Sequence, residues 1–311
     1  MTTEEFTAHD AQLAFTSLET VADGPGAGTR VLVVQPAGGI HSRVLLDRGM
    51  DVGASWWRGS PVSWMSASGE RRGGTDDRGA WNSVWSGGLI TTCGLRNVGP
   101  ATEGFGHHGH LTDAAAQLTS VNCDDDSITV TGIVREPNLF GRGLVLRRSL
   151  TWAVGGGTLT LSDTVTNEGW EPEQAPILYH LNLGYPFISP DTATAAGRTI
   201  GPVFESDVDD FPPLMRGTST GPAEVFEHAI EPGDAVRVVS PSTGSELTLT
   251  FTHDTLPRFY TCRWRRPGAY LQVLEPANCG QHGRVVDREQ GRAPMLDPGQ
   301  SRTTGMRLQF S

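Results

Sequence analysis

Two-residue alternation over Thr158–Val165 constrains this chain more than any other feature. Thr158, Thr160, Ser162 and Thr164 are polar, and Leu159, Leu161 and Val165 fall between them together with Asp163. Successive side chains of an extended chain point to opposite faces, so the run fits a strand with one buried face and fits a helix poorly. It follows Val145–Val154 across Gly155-Gly156-Gly157, which marks a β-hairpin. The same period recurs in Glu246–Thr252 and in Met306, Leu308 and Phe310. Further strands are expected over Arg30–Gln35, Ser127–Arg135, Val236–Ser240 and Tyr260–Trp264. Helical periodicity is scarce: a short helix is expected over Thr3–Ala8 and a turn near Ala114–Gln117.

The 39 glycines and 20 prolines are spread along all 311 residues, as suits many short strands joined by turns. No low-complexity run, repeat or linker divides the chain. It reads as all-β, one domain over residues 1–311. Residues 190–222 are poor in alternation and rich in Pro, Gly and Asp. They are expected to form a long surface excursion that helps wall a site.

Composition removes several functions. All 24 cationic side chains are arginine. Without lysine there is no Schiff-base catalysis, no covalent pyridoxal phosphate and no P-loop lysine. The net charge of −11 argues against nucleic-acid or anionic-membrane partners. No apolar run is long enough to span a membrane, and the polar, acidic start lacks the layout of a secretion signal. A cytoplasmic location is therefore expected, with Cys93, Cys123, Cys262 and Cys279 as reduced thiols.

Four stretches hold polar residues that a plain strand does not require. They are Leu46–Gly53, Gly87–Asn97 running on to His110, Leu178–Pro186, and Tyr270–Asn278. In the third, alternation puts Ile177, Tyr179, Leu181 and Leu183 on a core face. His180 and Asn182 then share the opposite face, about 7 Å apart. That face is either open to solvent or covered, and if covered the pair needs partners or a ligand. Glu275 continues the apolar series Ala269, Leu271, Val273. It is either salt-bridged to an arginine or desolvated, and desolvation would make it a stronger base. Of His107, His108 and His110, only His108 and His110 could share one metal ion. No carboxylate or cysteine joins them at a familiar spacing, so no metal site is expected. Trp56, Trp57, Trp64, Trp81 and Trp85 serve either the core or the apolar face of a sugar ring.

These stretches resemble the aldose 1-epimerase-like proteins of the galactose mutarotase superfamily, in a bacterial branch mostly without assigned function. The resembling elements are RGMDVG (Arg48–Gly53), GGLITTCGLRNVG (Gly87–Gly99), HG (His108-Gly109), LYHLNLGYP (Leu178–Pro186) and LEPANC (Leu274–Cys279). The resemblance implies a mainly antiparallel β-supersandwich with a carbohydrate site on the concave face of a large sheet. It also implies cofactor-free anomer interconversion. Glu275 matches the base that takes the anomeric proton, His180 the acid that protonates the ring oxygen, and His108 a substrate-binding histidine. Arg48, Asp51, Arg96 and Asn182 are candidates for hydroxyl recognition. On this reading Glu275 is ionised beside a protonated His180, since a nearby carboxylate holds a proton on imidazole. The branch usually has leucine before its His-Gly and arginine after it, where this chain has His107 and His110. The sugar-binding aspartate of well-studied mutarotases has no motif match in this chain: Asp207, Asp209 and Asp210 lie in the corresponding interval, and no motif chooses among them.

The partner expected is a small sugar or sugar derivative, with homo-oligomerisation left open. Two alternatives share the site: epimerisation or isomerisation at another carbon, and carbohydrate binding or sensing without turnover.

Overall fold

Two antiparallel sheets face each other across a shared apolar core in the computed structural model, which describes residues 6–71, 81, 85–136, 143–206, 223–292 and 294–311. Among the described residues the larger sheet has 11 strands, one of which, Ser60–Pro61, pairs with Asp51–Trp57 off the main order. Its order starts at the edge strand Ala14–Thr20 and passes through Arg30–Pro36, His41–Leu45, Asp51–Trp57 and Ile90–Gly94. It continues through Ile177–Gly184, Ala269–Ala277, Arg258–Arg266 and Glu224–Ala229 to Arg198–Pro202. The smaller sheet has eight strands, with Ser301–Phe310, Thr158–Asn167, Leu144–Ala153 and Ser127–Arg135 at its centre.

Alternation builds this sandwich as the sequence suggests. Leu159 and Leu161 pair with Trp152 and Leu150 across the glycine-linked hairpin, and these four side chains enter the inter-sheet core. Tyr179, Leu181, Leu183 and Leu274 meet them from the larger sheet. Each such side chain, once fully buried, contributes about 1.5–3 kcal/mol. Leu178, Leu271 and Val273, alternate residues of the same strands, join Cys262 of the neighbouring strand in a second apolar cluster on the outer face of the larger sheet.

A buried ionic group crosses the core. Arg148 Nε and Nη2 donate to Asp163 at 2.9 and 2.6 Å. Its Nη1 reaches Asp51 Oδ1 at 3.2 Å, and Nη2 reaches Thr92 Oγ1 at 2.7 Å. Tyr179 donates its phenol hydrogen to Asp163 at 2.8 Å. The smaller sheet is thereby tied to three strands of the larger one.

Three sequence expectations change. Residues 114–117 form no helical turn: a 3-10 turn spans Leu111–Asp113 and a strand starts at Ala116. Of the expected helix over residues 3–8, residues 3–5 lie outside the described residues and 6–8 are not helical. The excursion over residues 190–222 contains strands, Ala193–Ala195 and Arg198–Pro202, which extend one sheet each. Residues 207–222 lie outside the described ones. The α-helix Arg284–Glu289 was not foreseen.

Candidate active site

The register of two neighbouring strands fixes the centre of the site. Leu178 pairs with Ala277 and Leu181 with Leu274, which sets His180 opposite Glu275. Tyr179, Leu181 and Leu274 take the core side, so both side chains project to the outer face. There His180 Nε2 lies 3.2 Å from Glu275 Oε1, each side chain only 3% exposed.

Hydrogen bonds around the pair define its protons. Asn182 Nδ2 donates to Gly88 O at 2.9 Å and to Thr91 Oγ1 at 3.3 Å, which leaves Asn182 Oδ1 facing His180 Nδ1. An amide oxygen only accepts, so Nδ1 carries the ring hydrogen and Nε2 of the neutral ring offers its lone pair to Glu275. Gln281 Nε2 donates to the other carboxyl oxygen. Burial drives the Glu275 carboxyl up to about 8, against that hydrogen bond. Burial also drives the His180 imidazole down to about 4, against its bond to Asn182. Both shifts favour the uncharged forms, a carboxylic acid beside a neutral imidazole. Burial therefore works against the expected carboxylate–imidazolium pair, since the charged form of each group loses most on leaving water.

His108 reaches the same place from a tight loop. Its backbone is left-handed (φ 57°); its N–H donates to Gly99 O and its carbonyl accepts from Gly94 N, both at 3.0 Å. Gly99 N–H donates to His108 Nδ1 at 3.3 Å, so the neutral ring carries its hydrogen on Nε2 as a donor. Burial first, then His107 and His180, hold His108 well below the usual imidazole value. Gly99 has φ 89°, and a Cβ there would collide with the carbonyl of Gln281. Only glycine lets the two loops close on each other at this point.

Together His180, Glu275, His108 and Gln281 wall a cavity of about 240 Å³, with His107, Trp81 and Trp264 also lining it. Trp81 stacks on Trp85 at 4.6 Å and lies 4.8 Å from His108. Trp85 presents its ring to His180 at 5.0 Å, nearly perpendicular. Of the five tryptophans, Trp57 enters the inter-sheet core, Trp56 lines a separate cleft, and Trp64, Trp81 and Trp85 belong to the outer apolar cluster of the site. Among the described residues, no group of three His, Cys, Asp or Glu side chains is placed to hold a metal ion.

The model of a domain of unknown function, DUF4432, matches residues 26–310. The chain belongs to the DUF4432 family. No curated protein matches it in sequence. Among solved structures, this DUF4432 chain resembles the "putative aldose 1-epimerase" of Klebsiella pneumoniae subsp. pneumoniae at 18% identity and a TM-score of 0.82, over 99% of this chain and 89% of that one. A galactose mutarotase-like protein from Clostridium acetobutylicum matches at 13% identity and a TM-score of 0.66, over 96% and 99%. The DUF4432 chain therefore has the galactose mutarotase-like fold.

Not every residue singled out in the sequence reaches the cavity of this DUF4432 protein. Asn182 sits behind His180 and holds it. Arg48 pairs with Asp113 at 3.2 Å, and Asp51 is bound by Arg148, Thr92 N and Thr112. Arg96 pairs with Glu136 at 3.2 Å and with Glu173 at 2.9 Å. None of these three lines the cavity, so their expected contact with sugar hydroxyls gives way to ion pairs that hold strands and loops. Asp207, Asp209 and Asp210 lie outside the described residues. Gln281 was missed: nothing marks it in the sequence except its position six residues after Glu275.

Proposed function

We propose that this DUF4432 protein interconverts the anomers of an aldose by opening and reclosing the sugar ring. The observation that carries the reading is the 3.2 Å contact between His180 and Glu275 in the wall of a sugar-sized cavity. The likeness of fold to mutarotase-like proteins supports it. Ring opening needs one group to take the proton of the anomeric hydroxyl and another to give a proton to the ring oxygen. The resting pair holds one proton and one lone pair, so it supplies both.

In the direction implied by the resemblance, the shared proton first moves from Glu275 to His180. The carboxylate then removes the O1 proton as the C1–O1 double bond forms. The C1–O5 bond breaks, its electron pair goes to O5, and His180 protonates that oxygen. Rotation about C1–C2 and the reverse steps deliver the other anomer. No atom changes oxidation state overall. His108 Nε2–H donates to a sugar oxygen, and the indole of Trp81 offers an apolar face to the ring.

Proton NMR of freshly dissolved pure anomers, with and without protein, tests the reading. Accelerated equilibration is expected, with a loss of about 10²-fold or more in Glu275→Gln and His180→Asn. A change of only a few-fold in both variants rules the pair out. New stereocentres in the product would assign epimerisation at another carbon, and binding without turnover would assign a sensor.

A further inference from the structure

The two ends of the cavity differ in chemistry. Glu275, His180 and His108 supply proton donors and acceptors at one end. Away from them, the strand register lays Val273, Cys262 and Val225 side by side across three strands, all on the outer face with Glu275. Val225 and Cys262 line the cavity, and Ala223 and Phe204 continue its wall beside them. Phe204 is held there because the preceding residue, Val203, donates its N–H to Val225 O at 2.8 Å. Val225 lies two strands from Glu275, roughly 10 Å by the usual strand spacing.

Charge points the same way. Among the described residues lining the cavity there is no arginine, and Glu275 is the one acidic residue. His107, His108 and His180 are all pushed by burial towards the neutral ring. A phosphate or carboxylate on the ligand would meet no arginine among the described residues lining the cavity. Ala223, Val225 and Phe204 offer a hydroxyl no side-chain hydrogen-bond partner. A methyl group in the same place gains from burial.

We propose that the substrate is a neutral aldose whose end remote from the anomeric carbon is a methyl or other unhydroxylated carbon, seated against Ala223, Val225 and Phe204. This rests on the assignment of Glu275 and His180 as the reacting end.

Matched sets in the gluco, galacto and manno series test it: the aldohexose, its 6-deoxy counterpart, its 6-phosphate and its uronic acid. By NMR exchange between anomers, kcat/KM for the 6-deoxy sugar of the preferred series is expected to exceed that of its parent about 10-fold. Both charged sugars are expected to fall at least about 10-fold below the parent. Val225→Ser is expected to narrow the deoxy preference, whereas Glu275→Gln lowers all four rates in proportion. A phosphate or uronate that matches the parent overturns the proposal, as does a parent that matches its deoxy counterpart. If no aldose is equilibrated faster, the mutarotase reading fails, and saturation-transfer NMR with the same sugars decides the inference alone. Binding of the 6-deoxy sugar in preference to the others then supports it; binding of none, or an equal or stronger signal from the parent or a charged sugar, overturns it.

Discussion

His180 Nε2 faces Glu275 Oε1 at 3.2 Å with both side chains buried, and the Asn182 amide behind the imidazole settles which of its nitrogens carries hydrogen. The pair is therefore a single proton-holding unit rather than two independent residues, and its titration belongs to the unit.

The pH dependence of activity follows from that unit. His180 accepts a second proton only as pH falls through about 4, and Glu275 releases the shared one only as pH rises through about 8. Below this window the acceptor is lost, and above it the donor is lost. A plot of kcat/KM against pH is expected to be flat between limbs near these values. Limbs at the ordinary carboxylate and imidazole values of 4.5 and 6.5 would contradict the shared-proton state.

Stability carries an independent signature. Folded Glu275 keeps its proton to about pH 8, whereas the unfolded chain releases it near 4.5. Its raised value therefore favours the folded state fully below pH 4.5, and that contribution is lost as pH rises towards 8. Glutamine does not titrate. The urea midpoint of Glu275→Gln, relative to the unmodified protein, is expected to rise steadily from pH 5 to pH 8. A constant difference would show that Glu275 is not protonated in the fold.

Asn182 acts through His180. Asn182→Ala leaves Gly88 O and His180 Nδ1–H without their partner, at a cost of about 1–3 kcal/mol in stability. It is expected to lower kcat about 10-fold while KM stays nearly unchanged. A slowly exchanging Nδ1 proton, visible by nitrogen-edited NMR in the unmodified protein, is expected to vanish. A rise in KM at constant kcat would instead make Asn182 a contact to the sugar.

Arg148→Met strands Asp163 and Asp51 in the core without their cation. A loss of about 3–5 kcal/mol is expected from chemical denaturation. Arg237→Ala, at the exposed pair with Glu246, is expected to leave the midpoint within error. Equal effects of the two substitutions would mean that the buried group does not tie the sheets together.

Much of this was legible in the chain itself. Ser127–Arg135 and Val236–Ser240 form strands over the residues that alternation marks, and Tyr179 and His180 take the faces it assigns. What stayed hidden depends on partners distant in sequence. Asp51 and Arg148 are 97 residues apart, and no local pattern tells a carboxylate destined for an inter-sheet ion pair from one destined for a sugar. The push that burial exerts on Glu275 stayed hidden for a related reason: proximity to a histidine can be read from motifs, but depth of burial comes from the packed sheet. Val225 gave no signal, because strand order brings it to the cavity across Arg258–Arg266, whereas Phe204 lies in the 190–222 stretch expected to help wall a site.

Tyr179 reaches Asp163 through the core while His180, the next residue, reaches Glu275 on the outer face. A slip of one residue in this strand would exchange the two, placing a phenol in the cavity and an imidazole against the buried carboxylate. The chemistry and the tie between the sheets would fail in the same event. The register of this strand is thus held by the same contacts that build the site.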